Sequence, residues 1–151
     1  MGRNATRRAA RAGLTKEMLL PLSSGKVRAL SLENHLAFAT VCAGQANVGQ
    51  IVNLLRVIYL AFYLRTETTS GATLRIYQQA EAALDACIGR AESGERWMLL
   101  DDERAAVERV LAIHDEQLVA VPKHRYLAAW DRLQRFITST SGSPVPAAQA
   151  E

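Results

Sequence analysis

Apolar residues recur along this chain at helical rather than strand spacing, and their phase divides it into five segments. In residues 26–43, Leu32, Leu36, Ala39 and Ala43 fall at i, i+4, i+7 and i+11. That spacing predicts a helix with these four facing inward, stopped by Gly44. Ser31 offers a later start, as an N-cap inside the segment. The second segment, 48–65, follows Asn47, a good N-cap. It carries one stripe of Ile51, Leu54, Leu55, Ile58 and Phe62, another of Val57, Leu60, Ala61 and Leu64, and a third of Tyr59 and Tyr63. A helix apolar on nearly all sides belongs at the centre of a bundle or in an oligomer interface. Two buried strands are the competing reading; the unbroken length and the Leu/Ala content favour the helix.

A polar loop at 66–71 leads to a third helix, 72–92, with Tyr77, Ala80, Leu84, Cys87, Ile88 and Ala91 on one face and Ser93-Gly94 as its stop. Trp97 to Leu100 reads as an apolar connector pressed onto the core. A fourth helix starts with Asp101 as N-cap and Asp102 and Glu103 in its first turn, where acids suit the helix dipole. Its face is Val107, Val110, Leu111, His114, Leu118 and Val121. Pro122 suits the first position of a last helix, 123–138, with Tyr126, Trp130, Leu133 and Ile137 inward. The expectation is an all-α, single-domain bundle of about five helices over residues 17–138. A flexible basic arm (1–16) precedes it, docked at its end by Met18, Leu19, Leu20 and Leu22 around Pro21, and a disordered Ser/Pro/Ala tail (139–151) follows.

The totals agree with this picture. The chain has 151 residues, 49% hydrophobic and 22% charged, enough apolar material for one core. Cys42 and Cys87 make no CxxC pair and read as reduced, buried thiols of a cytoplasmic protein. The most apolar run, 51–64, contains Asn53 and Arg56 and falls short of the ~20 residues of a membrane span. No apolar h-region follows the basic start, although an arginine-rich, acid-poor start also has the composition of a transit peptide.

Charge changes the picture more. Residues 1–28 hold Arg3, Arg7, Arg8, Arg11, Lys16, Lys26 and Arg28 against Glu17 alone, a net +6, so a total of +3 leaves −3 for the rest. A basic arm on a mildly acidic body can track phosphates or enter a minor groove. The plainer readings are a solvated tail or a start codon placed too early. On the last helix Arg125, Arg132 and Arg135 lie within about 80° of one another, at 100° per residue. They could meet phosphate while the apolar face packs, or form an ordinary charged outer face.

Candidates for catalysis give way to structural readings. His114 sits mid-face in the fourth helix with no acid or cysteine at ligand spacing, so a satisfied buried histidine is the better reading. His35 and Cys42, seven apart, read as core packing, and His124 as exposed. Capping explains Asp101, Asp102 and Glu103. No GxSxG, phosphate-cradling glycine loop or HExxH is present, so no catalytic residue, metal or cofactor is expected. Tyr59, Phe62 and Tyr63 are candidates for a homodimer interface, because the second helix has more apolar sides than an edge position needs.

The run from Leu30 to Ala37 (LSLENHLA) with that from Arg56 to Leu64 (RVIYLAFYL) resembles small helical proteins of β-proteobacterial genomes and mobile elements described as Fis-family transcriptional regulators. The resemblance spans roughly residues 20–137 and implies DNA-associated regulation. The Val121-Pro122-Lys123 junction lacks the tight glycine turn of a Fis-type helix-turn-helix, so no site residues carry over. The expected function is a non-enzymatic, DNA-associated regulatory protein, dimeric, using the basic arm and the last helix. The alternative is a protein-binding inhibitor or adaptor of the kind mobile elements encode, with a host protein as partner.

Overall fold

A computed structural model describes residues 14–71, 73–139 and 142–147. It is an all-α bundle of five long helices and one short one, with no strand among the described residues. In chain order the helices are α1 (Lys16–Leu19), α2 (Ser24–Cys42), α3 (Val48–Tyr63), α4 (Leu74–Glu92), α5 (Asp101–Ala120) and α6 (Lys123–Ile137), with a 3-10 turn at Thr69–Gly71 before α4. No helix among the described residues is long and apolar enough to cross a membrane.

Local chemistry sets most of the boundaries. Asn47 Oδ1 accepts from the Gly49 N–H at 2.8 Å while Gln50 Oε1 accepts from the Asn47 N–H at 2.8 Å, a reciprocal cap that starts α3. Gly44 ends α2 at φ 71°, where the Gln45 N–H reaches the Thr40 carbonyl and the Gly44 N–H the Val41 carbonyl, both at 3.1 Å. Gly94, at φ 93°, closes α4 in the same way. Only glycine adopts this left-handed backbone without a Cβ penalty.

Four starts differ from expectation, the simplest being α4, which begins at Leu74 rather than at 72, after Thr73 as N-cap. α2 begins at Ser24, earlier than either expected start, because Ser23 Oγ accepts from the Lys26 N–H at 3.3 Å. α5 has Leu100, not Asp101, at its N-cap; Glu103 reaches back to the Leu100 N–H at 2.8 Å, and Asp101 is the first helical residue. Pro122 is the N-cap of α6 rather than its first residue, because its ψ of 143° is extended, and the Lys123 N–H is taken by the Leu20 carbonyl at 2.8 Å. That bond belongs to an isolated antiparallel bridge between Pro21 and Pro122, which ties the end of the amino-terminal segment to the α5–α6 corner. Leu22 packs there and Met18 is half-buried, whereas Leu19 and Leu20 are exposed.

α3 runs through the middle and touches α2, α4, α5 and α6. Its Ile51, Leu54, Ile58 and Ala61 are almost wholly buried, as a helix apolar all round must be. The core has two parts. The larger joins α2, α3, α4 and α5 around Val41, Leu54, Tyr77, Leu84 and Leu111. The smaller holds Leu60, Leu64, Leu118, Tyr126 and Leu133 where α3, α5 and α6 meet, with Val27 and Leu30 of α2 packed against it.

The face of α2 is corrected. Leu32 and Leu36 are 61% and 57% exposed, and Ala39 and Ala43 face solvent too. The buried stripe is Asn34, Ala37 and Val41, roughly 170° around the helix at 100° per residue. It is less apolar, but a polar partner on α3 accepts Asn34. Ile137 is likewise 58% exposed rather than inward, and Phe136 instead lies 6.4 Å, ring to ring, from Tyr59. Within the region expected to be a tail, residues 142–147 are placed on α4. Val145 is buried in the core, and Gln78 Nε2 donates to the Pro146 carbonyl at 2.9 Å.

Candidate functional site

The basic residues of the sequence reading distribute unevenly. Arg3, Arg7, Arg8 and Arg11 lie outside the described residues. Lys16, Lys26 and Arg28 are exposed at the end of the bundle where α1 and the start of α2 sit, and α1 is fixed there against α6 by Lys123 Nζ on Glu17 at 3.2 Å. The three arginines of α6 are all engaged within the chain. Arg125 reaches Glu67 at 3.7 Å, Arg132 lies 4.4 Å from the Tyr63 ring centroid, and Arg135 pairs with Asp131 at 3.1 Å. Exposed pairs of this kind are weak and exchangeable, so these side chains remain able to swap partners.

The interface candidates separate. Phe62 is 5% exposed, edge-on to Tyr77 within the core, and cannot meet a second copy. It faces inward because α4 covers that side of α3. Tyr59 and Tyr63 are half-buried, flanked by Phe136 and Arg132 of α6.

The histidines also separate. His35 is exposed, not packed in the core with Cys42: its Nε2 lies 2.6 Å from Asp115 Oδ2. Ser31 Oγ donates to the other oxygen of Asp115 at 2.8 Å, so one carboxylate of α5 fastens two turns of α2. The carboxylate, not the imidazole, is the middle member, so the hydroxyl is not set up as a nucleophile. His124 is half-buried. Cys87 is buried, whereas Cys42 is only half-buried; desolvation raises both thiols above their ordinary value and disfavours the thiolate.

His114 is 2% exposed and hydrogen-bonded, Nδ1 to Gln117 Oε1 at 3.0 Å. Gln117 Nε2 donates to the Ala61 carbonyl at 3.0 Å, so Oε1 is the acceptor and the proton sits on His114 Nδ1. Burial holds the imidazole pKa below its ordinary value and keeps the ring neutral, with a lone pair on Nε2.

His114 lines a cavity of about 40 Å³ enclosed by α2, α3, α5 and α6. Asn34, Asn53, Arg56, Tyr126 and Trp130 share its wall. Asn53 Nδ2 donates to Asn34 Oδ1 at 3.4 Å, and Arg56 stacks 5.5 Å from the Trp130 ring centroid. Glu33, Asn53 and Arg56 also line an open groove of about 340 Å³ between α2 and α3, so the cavity and the groove share these three wall residues. His114 is legible in the sequence, but this assembly is not. The available signal was Gln117, three residues on, with an asparagine on the buried stripe of each of two other helices.

Among the described residues, no group of three His, Cys, Asp or Glu side chains converges as a metal site would require. No known protein family, no curated protein and no solved structure matches this chain.

Proposed function

We propose that this chain is a non-enzymatic, DNA-associated regulatory protein of the cytoplasm. The observation that carries the reading is the concentration of positive charge in the first 28 residues of the chain. Residues 1–28 hold a net +6 against −3 elsewhere, and that segment is anchored to the body where Leu20 meets Lys123. Lys16, Lys26 and Arg28 project to solvent from the anchored part. Such a basic segment gives phosphate-directed, salt-sensitive binding with little sequence preference. α6 is a lesser contributor, because its arginines must first leave Glu67, Tyr63 and Asp131. A mobility-shift titration over a salt series tests the reading. Binding should weaken steeply with salt, and removing residues 1–13 should flatten the slope; no binding at low salt rejects it.

A second reading, a protein-binding inhibitor or adaptor of a mobile element, is favoured by a different observation. Leu32 and Leu36, one turn apart on α2, and Val48 and Val52, one turn apart on α3, are each between 46% and 61% exposed. Paired exposed apolar residues on successive turns of a helix mark interaction surfaces more often than scattered ones do. Nuclease-resistant co-purification of one host protein, lost in Leu36→Glu, would favour this reading over the first.

A further inference from the structure

The α2–α3 groove and the cavity that shares its wall carry features that the DNA reading does not use. Glu33 and Arg56, of opposite charge, stand at the neck the two spaces share, and neither makes an ion pair or hydrogen bond among the described residues. Trp130 holds the Arg56 guanidinium from one side and leaves its N–H edges unspent. Asn34 and Asn53 use one polar atom each on the other, which leaves the Asn34 amide N–H₂ and the Asn53 carbonyl oxygen. At the floor is His114, 2% exposed, whose Nε2 lone pair has no partner among the described residues. These atoms are not sealed from solvent, since Thr68 Oγ1 alone is a buried side-chain polar atom without a partner among the described residues, so water or a ligand can reach and satisfy them. A groove of about 410 Å³ between α4 and α5 has no such floor: alanines line much of it, and its Glu103 is already paired with Arg90.

We propose that groove and cavity form one binding site for a small, polar α-amino acid. Its carboxylate meets Arg56, its ammonium meets Glu33, and a short uncharged side chain enters the cavity between the two asparagines and His114. The size fits. A cavity of about 40 Å³ takes a hydroxymethyl group or a water, whereas the backbone of the ligand needs the open groove of about 340 Å³. The charges fit as well: one cation and one anion at the neck select a zwitterion over a simple acid or amine. A neutral His114 accepts a hydrogen bond from a hydroxyl at Nε2, and no change of its charge is required.

The test is a ¹⁵N–¹H titration of the full chain, following the Trp130 indole N–H as L-serine is raised into the tens of millimolar. Saturable shifts are expected with L-serine, with ethanolamine and lactate, which each lack one charge, binding about tenfold more weakly or worse. Arg56→Gln and Glu33→Gln, both outside the packed core, should each weaken L-serine by about tenfold or more with an unchanged circular-dichroism spectrum. The proposal is overturned if no small polar amino acid gives saturable shifts, which would leave the cavity to water. It is equally overturned if ethanolamine or lactate binds as well as L-serine, or if the two variants bind like the parent. These outcomes are read without DNA and are independent of the salt series above.

Discussion

Gln117 decides which nitrogen of His114 carries the proton. The same amide caps α3: the Arg65 N–H turns to the Phe62 carbonyl at 3.2 Å, and the Ala61 carbonyl instead takes its hydrogen bond from Gln117 Nε2 at 3.0 Å. One wholly buried side chain thereby joins the end of the central helix to the imidazole on α5.

Gln117→Leu keeps the volume and removes both bonds. The Ala61 carbonyl and the His114 Nδ1–H are then left buried without partners, so unfolding free energy should fall by about 2–4 kcal/mol. Urea denaturation followed by circular dichroism reads this directly. A change within experimental scatter would mean that water replaces the amide.

His114 also sets a pH dependence. Its folded pKa lies below the ordinary value of 6.5 because burial disfavours the cation. The unfolded chain therefore takes up a proton that the folded chain refuses, and the contribution is complete above about pH 6.5 and lost as pH falls from there toward the folded pKa. Glu103, held low by Arg90, loses its contribution only further down, beneath the ordinary carboxylate value of 4.5. Urea midpoints should thus begin to drop below about pH 6.5, well before carboxylates titrate. His114→Gln should remove the first phase and leave the second.

Arg90 and Glu103 close the corner between α4 and α5. Arg90 Nη1 meets Glu103 Oε2 at 3.0 Å and Nη2 donates to the Met98 carbonyl at 3.0 Å, while Glu103 Oε1 holds the Leu100 N–H at 2.8 Å. Glu103→Ala breaks an ion pair and a helix cap together and should cost about 1–3 kcal/mol. Glu103→Gln, which can still accept the Leu100 N–H, should cost less. Equal losses in thermal unfolding would show that the cap contributes nothing.

Gly71 is fixed by contact rather than by backbone angle. A Cβ there would stand 2.7 Å from Tyr77 Oη and 3.2 Å from Ile113 Cγ2. The Tyr77 hydroxyl donates to the Gly71 carbonyl at 2.7 Å, and burial raises its pKa to about 12. Gly71→Ala should lower stability by about 1–3 kcal/mol through displacement of this ring. Tyr77→Phe in the same background should recover part of the loss by removing the clashing oxygen.

Helix order, the two glycine stops, the Asn47 cap and the central place of α3 were legible in the sequence, because each depends on near neighbours or on composition. A helix apolar on every side has no alternative to the middle, whatever surrounds it. The face of α2 was not legible. Its two stripes compete, the more apolar one with Leu32 and Leu36 points to solvent, and only Asn53 on α3 gives Asn34 a reason to turn inward. The same holds for His35, whose Asp115 partner is 80 residues away, and for Val145, whose burial depends on α4 standing beside it. Glu33, Arg56 and His114 line one cavity only because four helices meet there. Local periodicity fixes what a segment can bury; which polar groups it meets once buried is settled by partners that lie far away along the chain.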